Sequence, residues 1–203
     1  MTRLKTHPCG KLWRPPPLGR ALTVVLLFCL PLTHAEEPTV FSAPQTLDAE
    51  GFREVLARIA PGILIAGQPT PAGLRRAQAM GVTGVINLRT HMEMDDRSIV
   101  DFDEAALLEE LGMTYIHIPL GGPDTPYNPA AVDALAEALE DDAGAILLHC
   151  TVAWRATHLW LAYLVRHHGY SVPAAVAVGR QLNLGTLPLE GFLGQPLHIG
   201  LKP

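Results

Sequence analysis

Apolar runs of strand length alternate with segments of helical period along most of this chain. Residues 62–67, Gly-Ile-Leu-Ile-Ala-Gly, predict a short buried strand that ends at the turn Gln68-Pro69. Thr70 and Pro71 supply an N-cap and a first-turn proline for a helix that runs to about Met80 and stops at Gly81. The β-branched run 82–88 predicts a second buried strand. Residues 101–111 predict a helix with Ala105, Leu108 and Leu111 on one face, closed by Gly112. A third strand is expected over 113–120, and a helix over 129–139 that aligns Val132, Leu135 and Leu139. Ala145–His149 predicts a fourth strand. The longest helix spans 155–168; its basic end suits the helix dipole, and Gly169 stops it. Ser171-Val-Pro173 opens one more.

Strands alternating with helices imply an α/β domain with a central, mainly parallel sheet flanked by helices. In such sheets, functional groups gather at the carboxyl ends of the strands. The domain is expected over 51–203, preceded by an extended lead-in at 36–50; no internal repeat or low-complexity stretch interrupts it.

Residues 1–35 have a different pattern. Arg3, Lys5, Lys11, Arg14 and Arg20 precede an apolar run from Ala21 to Leu32, and Thr33-His34-Ala35 leads into acidic Glu36-Glu37. This is the order of a secretory signal peptide, with cleavage expected after Ala35. A run of about a dozen residues falls short of the roughly 20 that a membrane-spanning helix needs. Lipidation at Cys29 is disfavoured by the bulk of Phe28. The expected location is therefore periplasmic or secreted, with no stable membrane insertion after cleavage.

Removing five cations and no acid takes the formal net charge from −5 to −10. So acidic a surface excludes nucleic-acid binding as the working expectation. Cys9 and Cys29 leave as well, so Cys150 becomes the only thiol. A lone cysteine in an exported protein is either a reactive thiol or a small buried hydrophobe, and the count does not decide between them. No two of the nine histidines stand at metal-ligand spacing, so no metal or other cofactor is expected.

The segment that decides is Ile146-Leu-Leu-His149-Cys150-Thr-Val-Ala-Trp154-Arg155, an apolar strand, a tight loop and a helix start. A thiol there faces free backbone N–H groups and the positive end of a helix dipole, which favour the thiolate. The same N–H groups form an anion cradle, and an arginine at the far end can clamp two phosphate oxygens. Nucleophile, cradle and clamp fall within six residues. The loop residues Thr151, Val152, Ala153 and Trp154 would surround the anion, with His149 orienting the loop through its backbone.

This stretch resembles the His-Cys…Arg signature of protein tyrosine and dual-specificity phosphatases. Ala66-Gly-Gln-Pro69, Gly84-Val-Ile-Asn-Leu-Arg89 and Ile116-His-Ile-Pro119 are similar to the successive strand ends of the bacterial members. Of these, the phosphatase-like domain of beta-lactamase-hydrolase-like proteins has His-Cys, four residues, Arg and a later Leu-Trp, as in His149-Cys150…Arg155…Leu159-Trp160. The resemblance implies a cysteine-phosphatase fold over roughly 60–195. It also implies hydrolysis of phosphomonoesters through a phosphocysteine. The partner would be a phosphorylated protein or a small phosphomonoester. A general acid comes from an Asp after the third strand, here Asp124, whose competing role is ordinary Pro-Asp turn chemistry.

Several positions depart from that pattern. The common signature has five residues between Cys and Arg, and this chain has four, the length found in rhodanese-type sulfurtransferases. The usual mid-loop glycine is Ala153, which resists a positive φ. Bulky Trp154 either packs on the domain or narrows the pocket toward a flat substrate. Thr157 is a candidate to reach the Cys150 sulfur and Asn183 a candidate loop contact. Arg89 either charges the pocket or pairs with acids on the surface. A rhodanese-like persulfide carrier and a non-catalytic anion- or partner-binding module remain the alternatives to a phosphatase. If the N-terminal reading holds, mass spectrometry of protein from the native envelope fraction will find Glu36 as the first residue; intact residues 1–35 or a lipid on Cys29 would overturn it.

Overall fold

The computed structural model describes residues 41–141, 144–185 and 188–197. The leader segment 1–35, with Cys9 and Cys29, lies outside the described residues. The elements in chain order are β1 (Gln45–Thr46), β2 (Leu56–Ala60), β3 (Ile63–Ala66), α1 (Pro71–Ala79), β4 (Val82–Asn87), α2 (His91–Asp95) and α3 (Glu104–Glu110). They continue with β5 (Thr114–His117), α4 (Pro129–Asp141), β6 (Ala145–His149), α5 (Trp154–His167), α6 (Val172–Gly179) and α7 (Leu189–Leu193).

The strands form a single six-stranded sheet in the order β1-β2-β3-β6-β4-β5. β3, β6, β4 and β5 run parallel, as the alternation of elements requires. β1 and β2 add an antiparallel extension at one edge, which makes the sheet mixed. Within the expected lead-in, Gln45 and Thr46 join the sheet by pairing with Arg58 and Ala57. Phe41 packs edge-on against Trp160, with ring centres 5.4 Å apart. Short α2 and α7, together with β1 and β2, are elements the hydrophobic pattern did not announce.

Side chains alternate between two cores, as the pleat dictates. Ile65, Ile86, Ile146 and Leu148 face α4, α5, α6 and α7, where Val132, Leu135, Leu159 and Phe192 are buried. Leu64, Val85 and Leu147 face the other way, against Leu74 of α1 and Leu108 of α3. α1 has the expected caps: Thr70 accepts from the Gly73 amide, and Gly81 turns out at φ +91°. α3 departs from its expected face. Ala105 is exposed, and Glu104, Leu107 and Leu108 point inward, so the buried stripe starts on a carboxylate. The expected strand 113–120 is regular only over Thr114–His117. Its continuation still follows β4: the Ile118 and Leu120 amides donate to the carbonyls of Asn87 and Leu88.

The carboxyl ends of β3, β4 and β6 converge under a loop, 150–153, that leads straight into α5. Gly67, just past β3, lets the chain pass beneath that loop. A Cβ there would stand 1.9 Å from the Arg53 carbonyl oxygen and 3.1 Å from that of Thr151. Both neighbours are backbone and cannot swing aside. Gly67→Ala is expected to cost about 1–3 kcal/mol by overpacking, read as a lower urea midpoint. A midpoint at the wild-type value would mean that the loop and the residue 53 turn are not held together.

Candidate active site

Cys150 is the residue after β6, and Arg155 lies in the first turn of α5. Between them the chain reverses at Ala153, which has φ +64° and caps α5 without a side-chain hydrogen bond. A left-handed conformation costs an L-residue about 1–2 kcal/mol. The tight loop therefore does require a positive φ at the position where the sequence has alanine. The Ala153 methyl is fully buried in the helix-side core and does not line the cavity. The amides of the first turn of α5 have no intrahelical partner and form the positive end of a 14-residue helix.

Cys150, Thr151, Val152, Trp154 and Arg155 open onto a cavity of about 420 Å³. The facing wall comes from Met92 and Glu93 of α2 and from Gly121, Gly122, Pro123 and Tyr127 of the loop after β5. Cys150 itself is 1% exposed at the floor. Trp154 and Tyr127 meet edge to face at 6.4 Å, giving the rim an aromatic corner. Asn183 donates to the Val152 carbonyl at 2.7 Å, so the suspected loop contact is present.

Arg155 is held from every side. Its Nη1 donates to the carbonyls of Leu120 at 2.8 Å and Leu88 at 3.3 Å, and its Nη2 to Thr151 Oγ1 at 2.9 Å. Glu93 takes the fork, accepting from Nη1 and Nη2 at 2.8 Å each. Glu93 also accepts from the Thr151 hydroxyl at 3.0 Å and caps α2 reciprocally with Thr90. Burial alone would push the Glu93 carboxyl up. The hydrogen bonds from Arg155, the Thr90 amide and Thr151 outweigh it and hold the group at about 2, against an ordinary 4.5.

Beneath the loop lies a polar layer. His149 does not bond the loop backbone as expected: its Nε2 meets Glu104 Oε1 at 2.9 Å, and its Nδ1 is buried without a partner. Its expected acceptor, loop backbone, is out of play because the ring, at the end of a buried strand, points into the sheet's other face with Glu104. Arg89 is buried, not on the surface. Its Nη1 donates to Gln68 Oε1 at 2.8 Å, and its Nη2 stands 3.4 Å from Glu93. Thr157 is fully buried with its hydroxyl unpartnered, so the proposed contact with the Cys150 sulfur is not made. Asp124 sits in the turn Gly122-Pro-Asp-Thr125, where the Thr125 amide donates to the Gly122 carbonyl at 3.2 Å. It is exposed and stands next to cavity-lining Pro123 without lining the cavity itself.

A family model for the beta-lactamase hydrolase-like protein, phosphatase-like domain, matches residues 55–164, more than half of the chain. The chain belongs to this family. Dual specificity protein phosphatase 26 of Rattus norvegicus and that of Homo sapiens are each 29% identical over 140 residues, which is 68% of this chain and 64% of theirs. The chain thus spans a little under two thirds of the curated relatives it matches. A DUF442 protein from Shewanella putrefaciens CN-32 superposes with a TM-score of 0.55 at 25% identity, covering 71% of this chain and 91% of its own. TpbA of P. aeruginosa, solved in complex with phosphotyrosine, has a TM-score of 0.52 at 19% identity over 68% of this chain and 77% of its own, a likeness of fold.

In this phosphatase-like domain the structure joins Cys150, Thr151, Val152, Trp154 and Arg155 in one cavity and leaves His149, Ala153 and Asp124 outside its lining. Glu93 is a site residue that neither the hydrophobic pattern nor the His-Cys…Arg stretch points to. Thr90-x-x-Glu93 is nonetheless a readable capping box. A carboxyl whose folded value is depressed stabilises the fold fully above its unfolded value of 4.5, and loses that contribution as pH falls through about 2. Urea midpoints of Glu93→Gln should therefore change less between these two pH values than those of wild type; parallel curves would show that the Arg155 fork adds nothing to stability.

Proposed function

We propose that this chain is a cysteine-dependent phosphatase of phosphomonoesters, phosphotyrosine-like aryl esters among them. One observation carries the reading: a thiol and a buried guanidinium, separated by four residues at the carboxyl end of a parallel strand, open onto the same cavity at a helix N-terminus. The family and its dual-specificity relatives support it.

The Cys150 thiolate attacks phosphorus, an S–P bond forms, and the P–O bond to the leaving alcohol breaks. Arg155 and the first-turn amides of α5 hold the equatorial oxygens. Water then attacks phosphorus, releasing inorganic phosphate and returning the thiolate. The leaving oxygen needs a proton. Glu93, held at about 2 by Arg155, is ionised at working pH and has none to give. Asp124, the single acid of the loop after β5, is the donor we propose, brought in when that loop folds over substrate. Trp154, Tyr127, Pro123 and Met92 give the rim flat apolar walls suited to an aromatic leaving group. We also propose that the domain works outside the cytoplasm, which the charge and apolar order of residues 1–35 supports.

Hydrolysis of aryl phosphates and phosphotyrosine peptides by the mature protein is the direct test, with thiosulfate-to-cyanide sulfur transfer run in parallel. Cys150→Ser should abolish turnover and keep tungstate binding, whereas Arg155→Lys should lose both, since a point charge cannot replace a bidentate fork. Sulfur transfer without phosphate release would overturn the phosphatase reading, as would anion binding with no turnover. Asp124→Asn should slow esters with poor leaving groups by about 10²–10⁴-fold and nitrophenyl phosphate much less. Equal loss for both, or none, would remove Asp124 from the role.

A further inference from the structure

The catalytic steps above leave one buried carboxylate unexplained. Glu104, the first residue of α3, is 2% exposed. Its oxygens accept from Gln68 Nε2 at 2.9 Å, Asn87 Nδ2 at 3.0 Å and His149 Nε2 at 2.9 Å. Those donors stand at or just past the carboxyl ends of β3, β4 and β6, where Ala66 and Asn87 are each in register with His149. Burial opposes the charge, yet His149 and the two amides outweigh it and keep the carboxyl below its ordinary range. Replacing a buried ionic group by a well-packed apolar one is often neutral or stabilising, so holding α3 in place does not by itself call for a carboxylate.

Two lines of contact lead from Glu104 to the reacting groups. One is short, because His149 is covalently joined to Cys150. The other is a chain of bonds: Gln68 Oε1 accepts from Arg89 Nη1 at 2.8 Å, Arg89 Nη2 faces Glu93 Oε1 at 3.4 Å, and Glu93 holds both Nη atoms of Arg155. Acidic and basic groups alternate along it, with the Gln68 amide as relay. That amide has one usable orientation: its NH₂ must face Glu104 for its oxygen to face Arg89.

We propose that Glu104 is a positioning residue that orients the nucleophile through His149 and the phosphate clamp through Gln68, Arg89 and Glu93. Its kinetic consequence rests on the phosphatase reading, but its effect on the loop does not. Glu104→Gln keeps the shape and places a new NH₂ where three donors already converge, so at least one contact becomes donor against donor. Gln68→Met leaves the carboxylate and its His149 contact in place and cuts the line to Arg89.

The test measures the alkylation rate of Cys150 by iodoacetamide, followed on its own peptide by mass spectrometry, with and without tungstate as the competing oxyanion. Melting temperature and aryl phosphate kinetics are recorded alongside. Glu104→Gln should weaken tungstate protection and lower kcat by about tenfold or more, the scale of one lost hydrogen bond to a charged group. Gln68→Met should weaken tungstate protection while the alkylation rate without tungstate stays near wild type. Glu109→Gln, on the exposed side of α3, should change nothing. A Glu104→Gln protein that melts lower but keeps wild-type tungstate protection and kcat would make Glu104 a structural anchor and overturn the proposal. Should Glu104→Gln not fold, unaltered protection in Gln68→Met would overturn it equally. If wild type binds tungstate but hydrolyses nothing, the phosphatase reading fails, and the alkylation series still decides the role of Glu104.

Discussion

The guanidinium of Arg155 is the constraint on which the rest of the site depends. It is a nearly buried charge, and an uncompensated buried charge costs several kcal/mol. Five acceptors meet it: the carbonyls of Leu88 and Leu120, the Thr151 hydroxyl and both oxygens of Glu93. They come from the segment after β4, the segment after β5, the loop itself and α2. Four stretches of chain that are distant in sequence are thereby fixed around one cation, and the space they leave is the cavity above Cys150. These contacts engage Nη1 and Nη2 and fix the plane of the guanidinium, so Arg155 lines the cavity as an oriented group and not as a mobile side chain.

The polar layer below has the same logic. Glu104, Arg89, Glu93 and Arg155 alternate in sign, so the charge of each is answered locally. The anion site thus does not reflect the acidity of the whole chain. Charges on the outer surface are screened over roughly 10 Å of salt solution, whereas Arg155 and the amides of α5 act at contact distance. The four-residue loop adds strain to this arrangement. Ala153 stays left-handed because its methyl is packed in the core, because Asn183 holds Val152 and because the chain just past β3 runs directly beneath at Gly67.

The pattern along the chain announces the alternation of β3, α1, β4, α3, β5, α4, β6 and α5, since each presents an apolar run or period of its own. It also placed Cys150 and Arg155 on one loop, because strand, loop and helix start are contiguous there and spacing alone sets their proximity. It did not show β1, β2 or α2, whose short or partly polar runs are defined only by pairing with the rest of the sheet or by contact with the loop. His149 was expected to serve the loop backbone and instead meets Glu104, 45 residues earlier. Glu93 stands in no motif of the loop and takes the Arg155 fork from 62 residues away. Asp124 remains at an exposed turn, where local Pro-Asp chemistry sets its place. The division has a physical cause: hydrophobic period and capping are local properties of a chain, whereas the partner of a buried charge is whichever opposite group folding brings to it.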